Sequence, residues 1–273
     1  MARPAKMNYS SNVTFVEGLD MQASATQNPI STDPSCRLPA GMERPLADLR
    51  DLLEALAADD LLGLTVFGPV LEPEFEKSDH GATTVLVLRK IDLMMIRRLA
   101  THGPQMARMR VAAPLTMTPE YIASSSDSFP LELLEIHQRR LTLCGRDYFE
   151  QINIEPEYLR LQCEREFKRI LIRLRQGLLA TGGKVDFLVD LERDIALQTL
   201  RTLRGVLWLD DRKEYLPATD VLAACESIAG RKLAGLREAV RPDAEGSWDE
   251  FEAVYQDVEL LATKMDGQTS NRK

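Results

Sequence analysis

The chain has 273 residues, 44% of them apolar, and a net charge of −8. That length and apolar share support one large or two modest buried cores and exclude wholesale disorder. The acidic balance speaks against nucleic acid as a whole-surface partner and leaves room only for a local basic patch.

Residues 1–42 are rich in Ser, Thr, Pro, Asn and Gln and are expected to form a flexible arm, with Val13 to Val16 as a short candidate edge strand. A helix is expected from about Pro45 to Asp59, where Leu46, Leu49, Leu52, Leu53 and Leu56 recur at helical spacing. Leu61 to Val70 reads as a strand ending at Phe67, Gly68 and Pro69, and Glu72 to Gly81 as a polar turn. Thr83 to Leu88 has the β-branched, apolar texture of a buried strand. Asp92 to Ala100 reads as helix, Arg108 to Met117 as strand, and Thr118 with Pro119 as the cap and first position of another helix. Leu131 to Ile136 is expected to be a strand, and Leu141 to Asp147 carries the chain out of an α/β domain spanning 43–152.

Beyond Glu155 the pattern becomes helical, with segments at about 156–180, 185–208, 218–239 and 247–266. Thr181, Gly182 and Gly183 supply a turn, and Ser247 to Glu250 a capping box. Short links between helices of similar length imply an antiparallel bundle over 153–267, followed by a disordered tail at 268–273. Its first helix buries Leu159, Cys163, Phe167, Ile170, Leu171, Leu174 and Leu178. Leu161 and Ile172 lie on its back face and are expected to meet the sheet domain. Arg160, Lys168 and Arg169 on that helix have two readings, solvated cations paired with Glu164 and Glu166 or a phosphate-binding set.

Cys36, Cys144, Cys163 and Cys225 lie far apart with no CxxC pair. This matches neither a zinc pattern nor a disulfide framework, and fits buried thiols in a reducing, cytoplasmic compartment. No segment has the apolar run needed to span a bilayer, and the cations Arg3 and Lys6 have no apolar stretch behind them. Neither a membrane partner nor a secretory signal is expected. His80, His102 and His137 have no partner at ligand spacing, and there is no phosphate loop of the Gly-Lys-Ser/Thr type.

A helix, a strand closing in Phe67-Gly68-Pro69, a polar loop through Asp79-His80-Gly81 and a second strand together resemble the opening of the nucleotidyltransferase superfamily that includes DNA polymerase β. The segments Phe129 to Ile136, Arg140 to Asp147 and Leu159 to Glu166 are similar to uncharacterised bacterial nucleotidyltransferase-like proteins. The resemblance implies an α+β fold, a nucleotidyltransferase-like mixed sheet with helices, followed by the antiparallel helical bundle. It implies a cleft at Gly68 in which carboxylates from two strands hold Mg2+. In this chain Asp79 matches the first carboxylate, Gly81 stands where the second belongs, and Glu132 or Glu135 would be the third. Pro69 replaces the hydroxyl residue after the glycine and has no N–H to offer a phosphate.

The resemblance therefore implies a member with a degenerate motif, no confident cofactor, and Mg2+ only if it is active. Its first functional reading is an inactive nucleotidyltransferase-fold protein that binds a nucleotide-like ligand or a protein partner. The second is an active metal-dependent nucleotidyltransferase acting on a small molecule, RNA or protein. The third is a structural interaction protein, a homo-oligomer through its bundle.

Overall fold

The structure is a computed structural model that describes residues 36–71, 81–184, 188–241, 244 and 246–270. The candidate strand at Val13 to Val16, the polar turn at 72–80 and Asp79 fall outside the described residues.

Helix α1 (Glu43–Ala57) buries Leu46, Leu49 and Leu53, the stripe that its leucine spacing specifies. A short 3-10 turn over Ala58–Asp60 feeds strand β1 (Leu61–Phe67). Gly68 follows at φ +80°, a conformation that a Cβ would strain. The N–H of Leu71 donates back to the Gly68 carbonyl at 3.0 Å and closes a 3-10 turn over Pro69–Leu71. Strand β2 (Thr83–Leu88) leads to α2 (Leu93–Ala100), α3 (Gly103–Arg108), β3 (Leu115–Met117), α4 (Pro119–Ser124), α5 (Pro130–Gln138) and β4 (Arg140–Gly145). Thr118 caps α4 by accepting from the Tyr121 N–H at 3.1 Å.

The four strands run in the order β3-β2-β1-β4. β1 is antiparallel to β2 and β4, and β3 is parallel to β2. Because side chains alternate along a strand, the sheet presents two different faces. Leu64, Val66, Leu86, Leu88, Leu141 and Leu143 pack with α1, α2 and α3 on one side. Phe67, Val85 and Val87 face the other way and join α5 and the helices that follow in one continuous core.

The helical part comprises α6 (Pro156–Ala180), α7 (Leu188–Leu209), α8 (Ala218–Ala229), α9 (Ala234–Ala239) and α10 (Trp248–Ser270). Phe167, Ile170 and Leu174 of α6 are fully buried among these helices. Ser247 caps α10 by accepting from the Glu250 N–H at 3.1 Å.

Four sequence expectations are corrected. Leu131 to Ile136 is not a strand but most of α5, opened by Pro130 in its first turn. This helix is wedged between sheet and bundle, so Leu131, Leu133, Leu134 and Ile136 are all buried, and only the narrow edge of Glu132 and Glu135 marks its helical period. The strand expected over Arg108 to Met117 shrinks to Leu115–Met117, with only a parallel bridge between Ala82 and Val111 before it. The helix expected over 218–239 breaks at Gly230, left-handed at φ +78°, into α8 and α9. Leu161 and Ile172 do not dock on the sheet domain; they are 36% and 51% exposed. The sheet instead reaches the bundle through α5, whose Leu131 packs at Gly205 of α7.

Cys163 and Cys225 are buried free thiols, pushed up to about 12 by burial, and the half-buried Cys144 is pushed up to about 11. The Cys36 thiol donates to the Arg140 carbonyl at 3.3 Å. None of these three shifted thiols is poised as a nucleophile.

Candidate functional site

The turn after β1 lies beside the start of β2 and one flank of α5. The Thr83 hydroxyl donates to the Phe67 carbonyl at 2.8 Å. A Cβ on Gly68 would lie 3.2 Å from the Thr83 Oγ1 and 3.8 Å from Glu135 Oε1. α5 therefore aims a carboxylate at the glycine turn.

One helical turn earlier, Glu132 Oε2 accepts from Gln162 Nε2 at 2.6 Å, while Gln162 Oε1 accepts from the Leu131 N–H at 2.7 Å. Arg201 of α7 spans both acids, with Nη2 3.8 Å from Glu132 Oε1 and Nη1 3.6 Å from Glu135 Oε2. One turn further along α7, Arg204 Nη2 donates to the Tyr215 hydroxyl at 3.1 Å and to the Leu216 carbonyl at 3.4 Å. The Arg204 Cζ stands 4.8 Å from the centre of the Tyr215 ring, and the Arg139 Cζ stands 4.5 Å from the same ring. Arg139 Nε donates to the Leu71 carbonyl at 2.8 Å, which returns the circuit to the glycine turn. Burial pushes the Glu135 carboxyl above its ordinary value; Arg201 and Arg204 pull it down, and Glu132 pushes it up.

Of the residues singled out from sequence, the structure brings Gly68, Glu132 and Glu135 together, and Asp79 lies outside the described residues. Glu132 and Glu135 do not come from a later strand, as a third metal carboxylate would; they stand on a helix. The later strand beside β1 is β4, and its described residues include no carboxylate. There Thr142 is buried opposite Thr65, their hydroxyls 3.2 Å apart. β2 likewise offers Thr83 and Thr84 and no acid. Among the described residues no group of three His, Cys, Asp or Glu side chains is placed to hold a metal ion. Among the described residues the two carboxylates beside the glycine turn both stand within ion-pair range of one guanidinium, and this pair alone does not fit Mg2+, which demands a nearly octahedral shell of oxygens.

Arg160, Lys168 and Arg169 each meet a carboxylate within the helical part. Arg160 Nη1 is 3.6 Å from Glu164, Lys168 Nζ is 2.7 Å from Glu164 and 3.0 Å from Asp266, and Arg169 Nη1 is 2.9 Å from Glu166. The carboxylates they pair with are not Glu132 or Glu135.

Sequence reasoning passed over Arg139, Arg201, Arg204 and Tyr215. A signal for two of them exists: Arg201 and Arg204 fall one turn apart within the apolar run of α7, where solvated charge is out of place.

No protein-family model matches the chain, and no curated protein sequence matches it. Among solved structures it is similar to the spectinomycin adenyltransferase of Enterococcus faecialis, determined with ATP and spectinomycin. That likeness has a TM-score of 0.53 at 13% identity and covers 82% of this chain and 98% of the other. Among the described residues no helix is long and apolar enough to cross a membrane. The chain has a nucleotidyltransferase-like fold, a mixed sheet with helices followed by a helical C-terminal part.

Proposed function

We propose that this protein binds a nucleotide-like ligand in the cleft between its glycine turn and α7, and does not transfer a nucleotidyl group. One observation carries the reading. The two acids described beside the turn, Glu132 and Glu135, both stand in ion-pair range of Arg201, and the neighbouring strands β2 and β4 present threonines where metal-dependent transfer needs carboxylates. The solved neighbour that shares this fold was determined with ATP, which supports a nucleotide as the ligand class. Pro69 further removes a backbone donor from the turn, which suits a site that has left catalysis.

Two measurements test this. Titration calorimetry with ATP is expected to show saturable binding. Incubation with ATP labelled at the α-phosphate, in Mg2+ or Mn2+, is expected to leave no label on protein, RNA or aminoglycoside-like acceptors. Strong labelling that Asp79→Ala abolishes would overturn the non-transferring reading.

A further inference from the structure

We infer that this cleft neutralises a polyphosphate ligand with its own guanidinium groups in place of a divalent cation. The inference rests on the nucleotide-binding reading and adds how the phosphates are held.

A buried cation that meets no counter-ion among the described residues carries it. Arg139 is 5% exposed, and among the described residues it meets the Leu71 carbonyl and the face of Tyr215 but no carboxylate. Its chain neighbour Arg140, equally buried, has the ordinary solution: its Nε is 2.8 Å from Asp147. Burying an unpaired charge is costly, and a carbonyl dipole with an aromatic face offsets only part of that cost. An anion at the glycine turn would supply the missing charge.

Arg201 points the same way. Its Nε is buried and has no acceptor among the described residues. Its two terminal nitrogens stand 3.6 and 3.8 Å from Glu135 and Glu132, within ion-pair range but too long for good hydrogen bonds. The guanidinium is therefore held loosely, and its fork matches two phosphate oxygens at once where an anion replaces a carboxylate.

The lining chemistry agrees. Among the described residues, Arg139 and Arg201 both stand beside the turn, and Arg139 meets no carboxylate there. Mg2+ commonly stands between a protein's carboxylates and a triphosphate. With those carboxylates replaced by threonine or paired to arginine, fixed positive charge performs the same neutralisation.

The test is titration calorimetry of the full chain with ATP, adenosine and inorganic tripolyphosphate, each in EDTA and in Mg2+. ATP and tripolyphosphate are expected to bind in EDTA at least as tightly as in Mg2+, and tripolyphosphate is expected to displace ATP. Arg139→Gln is expected to weaken tripolyphosphate by about tenfold or more while leaving adenosine unchanged. If Arg139→Gln fails to fold by circular dichroism, Arg201→Gln is the second variant, with the same expected loss. ATP binding that vanishes in EDTA, or tripolyphosphate affinity unmoved by the folded variant, overturns the inference and leaves the nucleotide reading standing. No ATP binding in either buffer overturns both.

Discussion

Glu135 and Gly68 lie side by side, the Glu135 Oε1 3.8 Å from the position a Cβ on Gly68 would occupy. The same Cβ would press to 3.2 Å on the Thr83 Oγ1, at a backbone φ of +80°. Gly68→Ala is therefore expected to cost about 1–2 kcal/mol from the left-handed backbone alone. It should also displace the Thr83 hydroxyl from the Phe67 carbonyl. Urea denaturation read alongside ATP titration checks this, and a variant of unchanged stability would show that the turn is not held as described.

The two faces of α6 make opposite predictions. Phe167 is fully buried, so Phe167→Ala should lose about 3–5 kcal/mol as a core truncation. Ile172 is 51% exposed, so Ile172→Asp should stay within about 0.5 kcal/mol of the parent. Urea melts of both proteins decide it. A comparable loss in both would mean that the outer face of α6 is covered.

Gly205 is where α7 closes on α5 and α6. An added Cβ would fall 2.7 Å from the Cys163 Sγ and 2.8 Å from Leu131 Cδ1. Gly205→Ala should overpack this junction and cost about 1–3 kcal/mol. Because Leu131 shares one core with both the sheet and the bundle, the loss should appear as a lower melting temperature of a single transition. A split into two transitions, with only one of them moved, would contradict that shared core.

Glu192 of α7 is 3% exposed, its Oε1 has no hydrogen-bond partner among the described residues, and burial followed by nearby Glu250 pushes its carboxyl from 4.5 up to about 7. The folded chain keeps this proton while the unfolded chain releases it near 4.5, so this group's contribution favours folding at low pH and is lost as pH rises from about 4.5 to 7. Glu192→Gln removes that dependence. Its stability advantage over the parent should grow across this window and level off above it. Parallel stability curves for the two proteins between pH 4 and 8 would remove Glu192 from the account.

Local order alone determined much of this molecule. The leucine stripe of α1, the β-branched texture of β2, the long apolar stripe of α6 and the caps at Thr118 and Ser247 all follow from spacings within one or two turns of chain. Phe67-Gly68-Pro69 likewise marked the turn that ends β1. Tertiary structure decided the rest. α5 buries apolar residues over most of its circumference because sheet and bundle both cover it, and only the narrow edge of Glu132 and Glu135, three positions apart, carries its helical period. That misreading carried Glu132 and Glu135 onto the wrong element. Arg139 reaches Leu71 across 68 positions of sequence, and Arg201 and Arg204 arrive from a third element. In a linear reading each arginine is one cation among many, most of them solvated. Burial sets Arg139 apart, because a cation at 5% exposure that meets no carboxylate among the described residues is costly, and only the folded chain shows that burial.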